Sequence, residues 1–314
     1  MQKSELKGHG AIFGANFIWG VMSPMAKYVF AGGVITPIVL VSWRMVGAVV
    51  LFWLLSFVVG SEKVPTRDKL LFGAAALLGV VFNQCVYTLG LGMTSPVDAS
   101  VISTSTPIFT MIIAAIYLKE PLTFKKVGGV LLGAAGAVML IVSGASAAAE
   151  GGGSVMGDLL CIFAELCFAT YLVLFKGLIS RYSPATVMKW MFTWSVVMVL
   201  PFSFSEMAGA DYASVSPSVA ACAAFVVVFG TFVCYLLAPV GQKYLRPTVV
   251  SMYFYVQPVM SAILATAMGN AGPFGAVKVL SIAMIFIGVF LVMTSKSRAD
   301  VEAAGALSSS VSKN

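Results

Sequence analysis

Ten runs of mostly apolar residues, separated by short polar connections, leave this chain little choice of surroundings other than a lipid bilayer. The runs fall at about 8 to 29, 35 to 58, 69 to 90, 95 to 117, 124 to 143, 155 to 176, 184 to 204, 217 to 239, 247 to 268 and 274 to 295. A bilayer core is crossed by roughly 20 apolar residues in helical form, and a backbone group left unpaired in hydrocarbon costs several kcal/mol, so each run is expected to be a helix. Hydrophobic residues make up 60% of the 314 positions and charged residues 10%, too few charges to cover a water-exposed surface. The expected fold class is an all-α membrane protein of ten transmembrane helices.

The charges that remain are not scattered evenly. If the N-terminus is cytoplasmic, Lys63, Arg67, Lys119, Lys125, Lys126, Arg181, Lys243, Arg246 and Lys296 all lie on that side, whereas the outer connections hold Glu150, Glu206 and Asp211 and no Lys or Arg. Cationic segments stay on the cytoplasmic side during insertion, so both termini are expected there, in a bacterial-type inner (plasma) membrane. The same asymmetry accounts for the net charge of +7 without a nucleic-acid partner, since no basic face with interleaved aromatics lies outside the apolar runs. The first run holds Asn16, Ser23, Pro24 and Lys27 and lacks a small-residue cleavage site, so it reads as a retained span and not as a signal peptide. Five cysteines fall inside apolar runs and read as small hydrophobes. With His9 as the single histidine, a histidine metal site or histidine-based catalysis has no material to work with. No cofactor and no enzymatic activity are expected.

The chain also repeats. Thr36-Pro37 and Trp43 correspond to Ser183-Pro184 and Trp190, and Gly90, Pro96, Ser100 and Pro107 correspond to Gly241, Pro247, Ser251 and Pro258. A first repeat over 1–143 and a second over 155–298 flank a Gly/Ala-rich outer linker at 144–154, with a disordered cytoplasmic tail over 299–314. An odd number of helices per repeat makes the second copy enter from the opposite side, giving two inverted five-helix repeats.

Polar residues concentrate on particular helix faces. Asn16, Trp19, Gly20, Ser23 and Lys27 share one side of helix 1, a stripe that suits either a cavity wall or close helix packing. Helix 6 aligns with helix 1 in two registers. Matching Lys27 to Lys176 sets Glu165 opposite Asn16 and Phe168 opposite Trp19, and we prefer it because a lipid-facing Glu is costly. At that depth Glu165 is expected to be protonated, to carry a coupling proton, to hold a substrate ammonium, or to form an ion pair with Arg44. Helix 3 contributes Asn83 and Tyr87, with Gln84 on its flank. Helix 4 contributes Ser100 and Thr104, and helix 9 Tyr255 and Gln257. Pro107 and Pro258 are expected to kink helices 4 and 9 at matching points, which points to a central site.

Taken together, Asn16-Phe17-Ile18-Trp19-Gly20, Lys27, Pro37, Arg44, Ala99-Ser100, Pro107, Glu120-Pro121-Leu122 and Gly128 to Gly136 resemble the EamA family of the drug/metabolite transporter superfamily. The resemblance covers about residues 8 to 296. It implies a basket-shaped ten-helix carrier whose central cavity is formed by helices 1, 3, 4, 6, 8 and 9, with helices 5 and 10 as supports. Family members move amino acids, nucleobases and related small metabolites, often outward. Two departures stand out: Gly269-Asn270-Ala271-Gly272 where the second repeat usually has a Glu, and Glu165 where the family commonly has a small or neutral residue. The expected function is an inner-membrane secondary transporter of amino acids or related compounds, with membrane lipid, a small-molecule substrate and protons as partners. The rival reading is a non-catalytic membrane subunit or a lipid-carrier flippase component.

Overall fold

The computed structural model describes residues 3–60, 62–93, 102–144, 154–267 and 275–296. The expected linker (Gly144 and Ser154 apart), the tail, Pro96, Ala99, Ser100 and the Gly269-Asn270-Ala271-Gly272 stretch lie outside these residues, as do the side chains of Ser23 and Lys27.

Among the described residues ten longer helical stretches follow in order, with short helical turns at Lys176–Ile179 and Tyr212–Ser214 in the connections: α1 (Lys3–Ala31), α2 (Pro37–Val59), α3 (Thr66–Ala76, continuing through Leu77–Val86 and Tyr87–Met93), α4 (Thr106–Tyr117) and α5 (Phe124–Gly144). After these come α6 (Val155–Leu174), α7 (Pro184–Gly209), α8 (Pro217–Val227, Val228–Val233 and Cys234–Tyr244), α9 (Pro247–Met252, Tyr253–Tyr255 and Val256–Ala267) and α10 (Ala276–Met293). Among the described residues, eight of these, α2, α3 and α5 to α10, are long and apolar enough to cross a membrane. The polar residues of α1 dilute an otherwise sufficient 29-residue helix, and α4 has 12 residues in its continuous part.

Three starts share one chemical solution. Thr36, Ser183 and Ser216 each precede a proline at the first helical position and accept a hydrogen bond from a backbone N–H three residues on, at 3.3, 3.4 and 3.4 Å. The hydroxyl satisfies a donor that the first turn cannot, and the proline has no N–H to satisfy. Two of these caps extend further. Thr36 donates to Glu206 at the end of α7 (3.1 Å), while Ser183 donates to Glu62 just beyond the end of α2 (3.0 Å). Helices α2 and α7 therefore lie antiparallel, tied at both ends by a hydroxyl–carboxylate contact.

Burial works against the charge of Glu62, but hydrogen bonds from Thr186 and from the Ser183 backbone and hydroxyl outweigh it, holding the carboxyl below its ordinary 4.5. At the same end of the bundle Asp68 accepts from Tyr182 (2.5 Å) and pairs with Arg181 (3.4 Å). Lys176 donates to the carbonyls of Gln242 (2.7 Å) and Leu245, closing the C-terminus of α8. A buried ion pair completes that end: Lys126 Nζ lies 2.9 Å from Glu120, which also accepts from Thr248 of α9 at 3.1 Å.

Helices α5 and α10 pack along glycines. Gly129, Gly133 and Gly136 face Gly288 and Ser281 so closely that backbone touches backbone, the approach that small residues permit in lipid-embedded helices.

Candidate functional site

Within the bundle two helices depart from α geometry at corresponding places. The Leu77–Val86 part of α3 and the Val228–Val233 part of α8 are π-helical, a form frequent at functional sites; the sequence reading had no signal for either. They meet in a hydrogen bond from Gln84 Nε2 to Tyr235 Oη (2.7 Å). Each of these residues stands six positions before the matched Gly90 and Gly241.

Helices α4 and α9 each depart from α geometry a few residues before Pro107 and Pro258. In α4 the regular helix resumes at Thr106 after a turn at Thr104 and Ser105. Pro107 has no N–H for the Ser103 carbonyl four residues back, and the Thr106 hydroxyl lies 2.9 Å from that oxygen. In α9 a 3-10 turn at Tyr253–Tyr255 precedes Pro258.

Three of the predicted polar residues, Asn16, Gln257 and Glu165, take part in two matched contacts, the fourth member being Thr106, which was not among them. Asn16 of α1 is fully buried, donates to the Ile12 carbonyl (2.8 Å) and accepts from Gln257 of α9 (2.8 Å). Glu165 of α6 is 8% exposed and accepts from the Thr106 hydroxyl of α4. Gln257 and Thr106 each immediately precede a matched proline, and Asn16 and Glu165 are the residues set opposite each other by the Lys27/Lys176 register. The preferred register thus yields the same cross-helix contact twice, once neutral and once with a carboxyl. Ser103 offers its carbonyl to the Thr106 hydroxyl and donates its own hydroxyl to Tyr87 Oη (3.1 Å), so Tyr87 lies next to the Glu165 group.

Trp19 donates to the Gly230 carbonyl in the π segment of α8 (2.9 Å), stacks on Phe254 at 5.9 Å and meets Tyr235 edge-on at 5.5 Å. Phe168 meets Phe254 edge-on at 5.3 Å. Phe254 thus bridges the Trp19 and Phe168 rings, which the sequence reading set at equivalent positions of helices 1 and 6. Asn83 is half-buried and hydrogen-bonded to no described residue.

Two expectations need correction. Arg44 and Glu165 form no ion pair among the described residues. Arg44 Nε donates instead to Thr231 of α8 (2.8 Å), because the π segment turns that hydroxyl toward α2. Tyr255 does not line the centre either: its hydroxyl donates to the carbonyls of Thr104 (3.1 Å) and Val130 (3.4 Å), and its ring lies flush against Gly133 of α5. The 3-10 turn redirects it. Thr104 is buried and offers Tyr255 its carbonyl.

Tyr235, Thr231 and Thr106 were not among the expected site residues, and Gln84 was expected only on the flank of helix 3. Gln84 and Tyr235 could have been found by extending the Gly90/Gly241 match backward along both helices. Thr231 carried no such signal.

The comparisons with known proteins agree with this architecture. The model of the EamA-like transporter family matches twice, over residues 6–142 and 155–294. The chain is similar to the uncharacterized transporter YyaM of Bacillus subtilis (strain 168), 24% identical over 280 residues, covering 88% of this chain and 90% of that protein. An uncharacterized transporter of Archaeoglobus fulgidus is 25% identical over 284 residues, covering 88% and 95%. One solved crystal structure superimposes with a TM-score of 0.75 at 18% identity, over 93% of this chain and 99% of that one, and so shares the fold. With both halves matched and the relatives aligned nearly end to end, the chain belongs to the EamA-like transporter family.

Proposed function

We propose that this protein is a secondary transporter that moves a small metabolite, an amino acid or related compound, across the membrane by alternating access. In this reading all ten helices span, as two inverted five-helix halves with both termini cytoplasmic, and the halves rock about the centre. Recurrence of the same contacts in both halves supports it: Asn16 with Gln257 and Glu165 with Thr106, and α2 with α7 through caps at both ends. Equivalent residues that touch each other, Gln84 and Tyr235, are what a two-fold relation through the centre would produce.

The single observation that carries the transport reading is Glu165, a carboxyl buried in a membrane helix that accepts from the Thr106 hydroxyl, beside the irregular turn that precedes Pro107. Ionisable residues in such places mark substrate or proton pathways. Glu165 is assigned to a substrate ammonium or a coupling proton, and Asn16, Trp19, Tyr87, Thr104 and Gln257 to the walls around it. The outward direction rests on the family resemblance alone. The test is counterflow of labelled amino acids in proteoliposomes; no uptake across a broad panel, with folded protein verified, refutes it.

A second reading, a lipid-carrier flippase component, is favoured by an apolar groove of about 370 Å³ between α2 and α8, lined by Trp43, Val46, Ala220, Ala224 and Val228. Movement of a fluorescent lipid analogue in the same vesicles, without amino-acid counterflow, would select it.

A further inference from the structure

The centre is not the same in its two halves, and the differences are charges. Glu165 stands opposite Asn16, and Arg44 stands opposite Met191, each of the latter two directly following a matched tryptophan. Met191 is fully buried. A position needed for packing alone is served by an uncharged side chain, as the second half demonstrates, and a charge within a membrane helix is costly enough to require a reason.

Arg44 lies eight residues into α2, a helix of 23 residues, and is half-buried. Its Nε donates to Thr231 Oγ1, whose own proton goes to the Val226 carbonyl (3.0 Å), so the threonine acts as an acceptor that orients the guanidinium. A guanidinium carries five N–H donors. The η nitrogens donate to no described residue, and no described carboxylate lies within ion-pair distance. Thr231 follows Gly230, whose carbonyl holds Trp19, and stands four residues before Tyr235 in α8, which puts the guanidinium within about a turn of the contact between Gln84 and Tyr235.

A separate observation points to the same place. Gln84 is 8% exposed, its Nε2 is held by Tyr235, and its buried Oε1 has no partner among the described residues. A buried acceptor without a donor keeps the full cost of its lost hydration. An oriented cationic fork, an unsatisfied acceptor and the edge-on rings of Trp19 and Tyr235 therefore converge on one region between α1, α2, α3 and α8.

Resting on the transport reading above, we propose that Arg44 binds the carboxylate of the transported substrate. Gln84 Oε1 takes an N–H or O–H adjacent to that carboxylate, and the Trp19 and Tyr235 rings take an apolar substituent. The substrate class is then α-amino or α-hydroxy carboxylates. Bidentate recognition of a carboxylate is the task to which a guanidinium is best matched.

The test uses probe pairs differing only at the acid: L-phenylalanine and L-phenylalaninamide, L-leucine and L-leucinamide, phenyllactate and phenyllactamide. Each is added at millimolar concentration to the purified full-length protein in detergent, and thermal unfolding is followed. At least one acid is expected to stabilise the wild type while its amide does not. Arg44→Gln should weaken that response by about tenfold or more, the usual loss when a charge-assisted hydrogen bond is removed. Gln84→Glu provides a second variant: an internal carboxylate beside Arg44 should raise the unliganded melting temperature and abolish the response to acids. Amides as effective as acids, an undiminished response in folded Arg44→Gln, or no response of the wild type to any acid overturns the proposal. Counterflow separates the two readings. Acid binding without transport refutes transport and leaves the Arg44 site standing, whereas transport of amides and acids alike does the reverse.

Discussion

Replacing Gly288 by alanine tests how the α5–α10 seam is held. A Cβ added at Gly288 would lie 2.6 Å from the Gly129 carbonyl oxygen, 2.7 Å from Gly133 N and 3.0 Å from Gly133 Cα. Ordinary contact begins near 3.4 Å, so the shortest of these, 2.6 Å, falls about 0.8 Å inside it. All three neighbours are backbone atoms, and none can swing aside. The helices must separate instead, and with them go the reciprocal approaches of Gly129 to the Gly288 carbonyl and of Gly136 to the Ser281 carbonyl. Overpacking a well-filled contact costs about 1 to 3 kcal/mol, and rigid atoms on both sides place this case at the upper end, about 3 kcal/mol. For a chain of this size each kcal/mol moves the melting temperature by roughly 2 °C, so a fall of about 6 °C is expected. Tryptophan fluorescence during thermal unfolding in detergent measures it. Gly128→Ala is the control, because a Cβ there meets nothing within 4 Å, and alanine's better helix propensity should leave it at or slightly above wild type. A Gly288→Ala protein melting within about 1 °C of Gly128→Ala would refute the reasoning.

Three further outcomes are expected. Glu165→Gln retains a partner for Thr106 but cannot titrate, so counterflow by the variant should lose its pH dependence; a profile superimposed on that of wild type excludes the carboxyl as the proton carrier. Lys126→Met leaves Glu120 buried with Thr248 as its remaining partner and should cost about 3 to 5 kcal/mol, much of it recovered in the Glu120→Gln/Lys126→Met double variant; additive losses on thermal unfolding would contradict a coupled pair. Because the folded state holds Glu62 below its ordinary 4.5, its contact with Ser183 contributes stability above that value and loses it as pH falls through the folded value. The exposed site limits this to under about 1 kcal/mol, and Glu62→Gln should flatten that part of the acid-unfolding curve; an unchanged curve argues that the contact does not form in solution.

The helices and the correspondence between the halves could be read from residue types alone, for a local reason. Length, apolar content and the Thr36-Pro37, Ser183-Pro184 and Ser216-Pro217 starts act within a few residues of chain, and the lipid environment admits one backbone solution for them. The pairing of Asn16 with Gln257 and of Glu165 with Thr106 was half legible. Periodicity placed Asn16 and Glu165 on inward faces, and the matched prolines fixed the positions of their partners, but nothing in the spacing said which helices would touch. Tyr255 shows the converse. Its position in the repeat marked it as central, and a single 3-10 turn carried its side chain to α5.

Residue order thus determined that this chain enters lipid as apolar helices in two related sets, because the energies of burying backbone and charge are local and large. Which polar groups meet was decided only by the tertiary structure: Gln84 and Thr231 lie inside the π segments of α3 and α8, with Tyr235 just beyond the second, and these locally rephased stretches hold the contacts of Gln84 with Tyr235 and of Arg44 with Thr231 in place of Glu165. A change of helical phase leaves composition and spacing untouched, so it is invisible until the helices are packed.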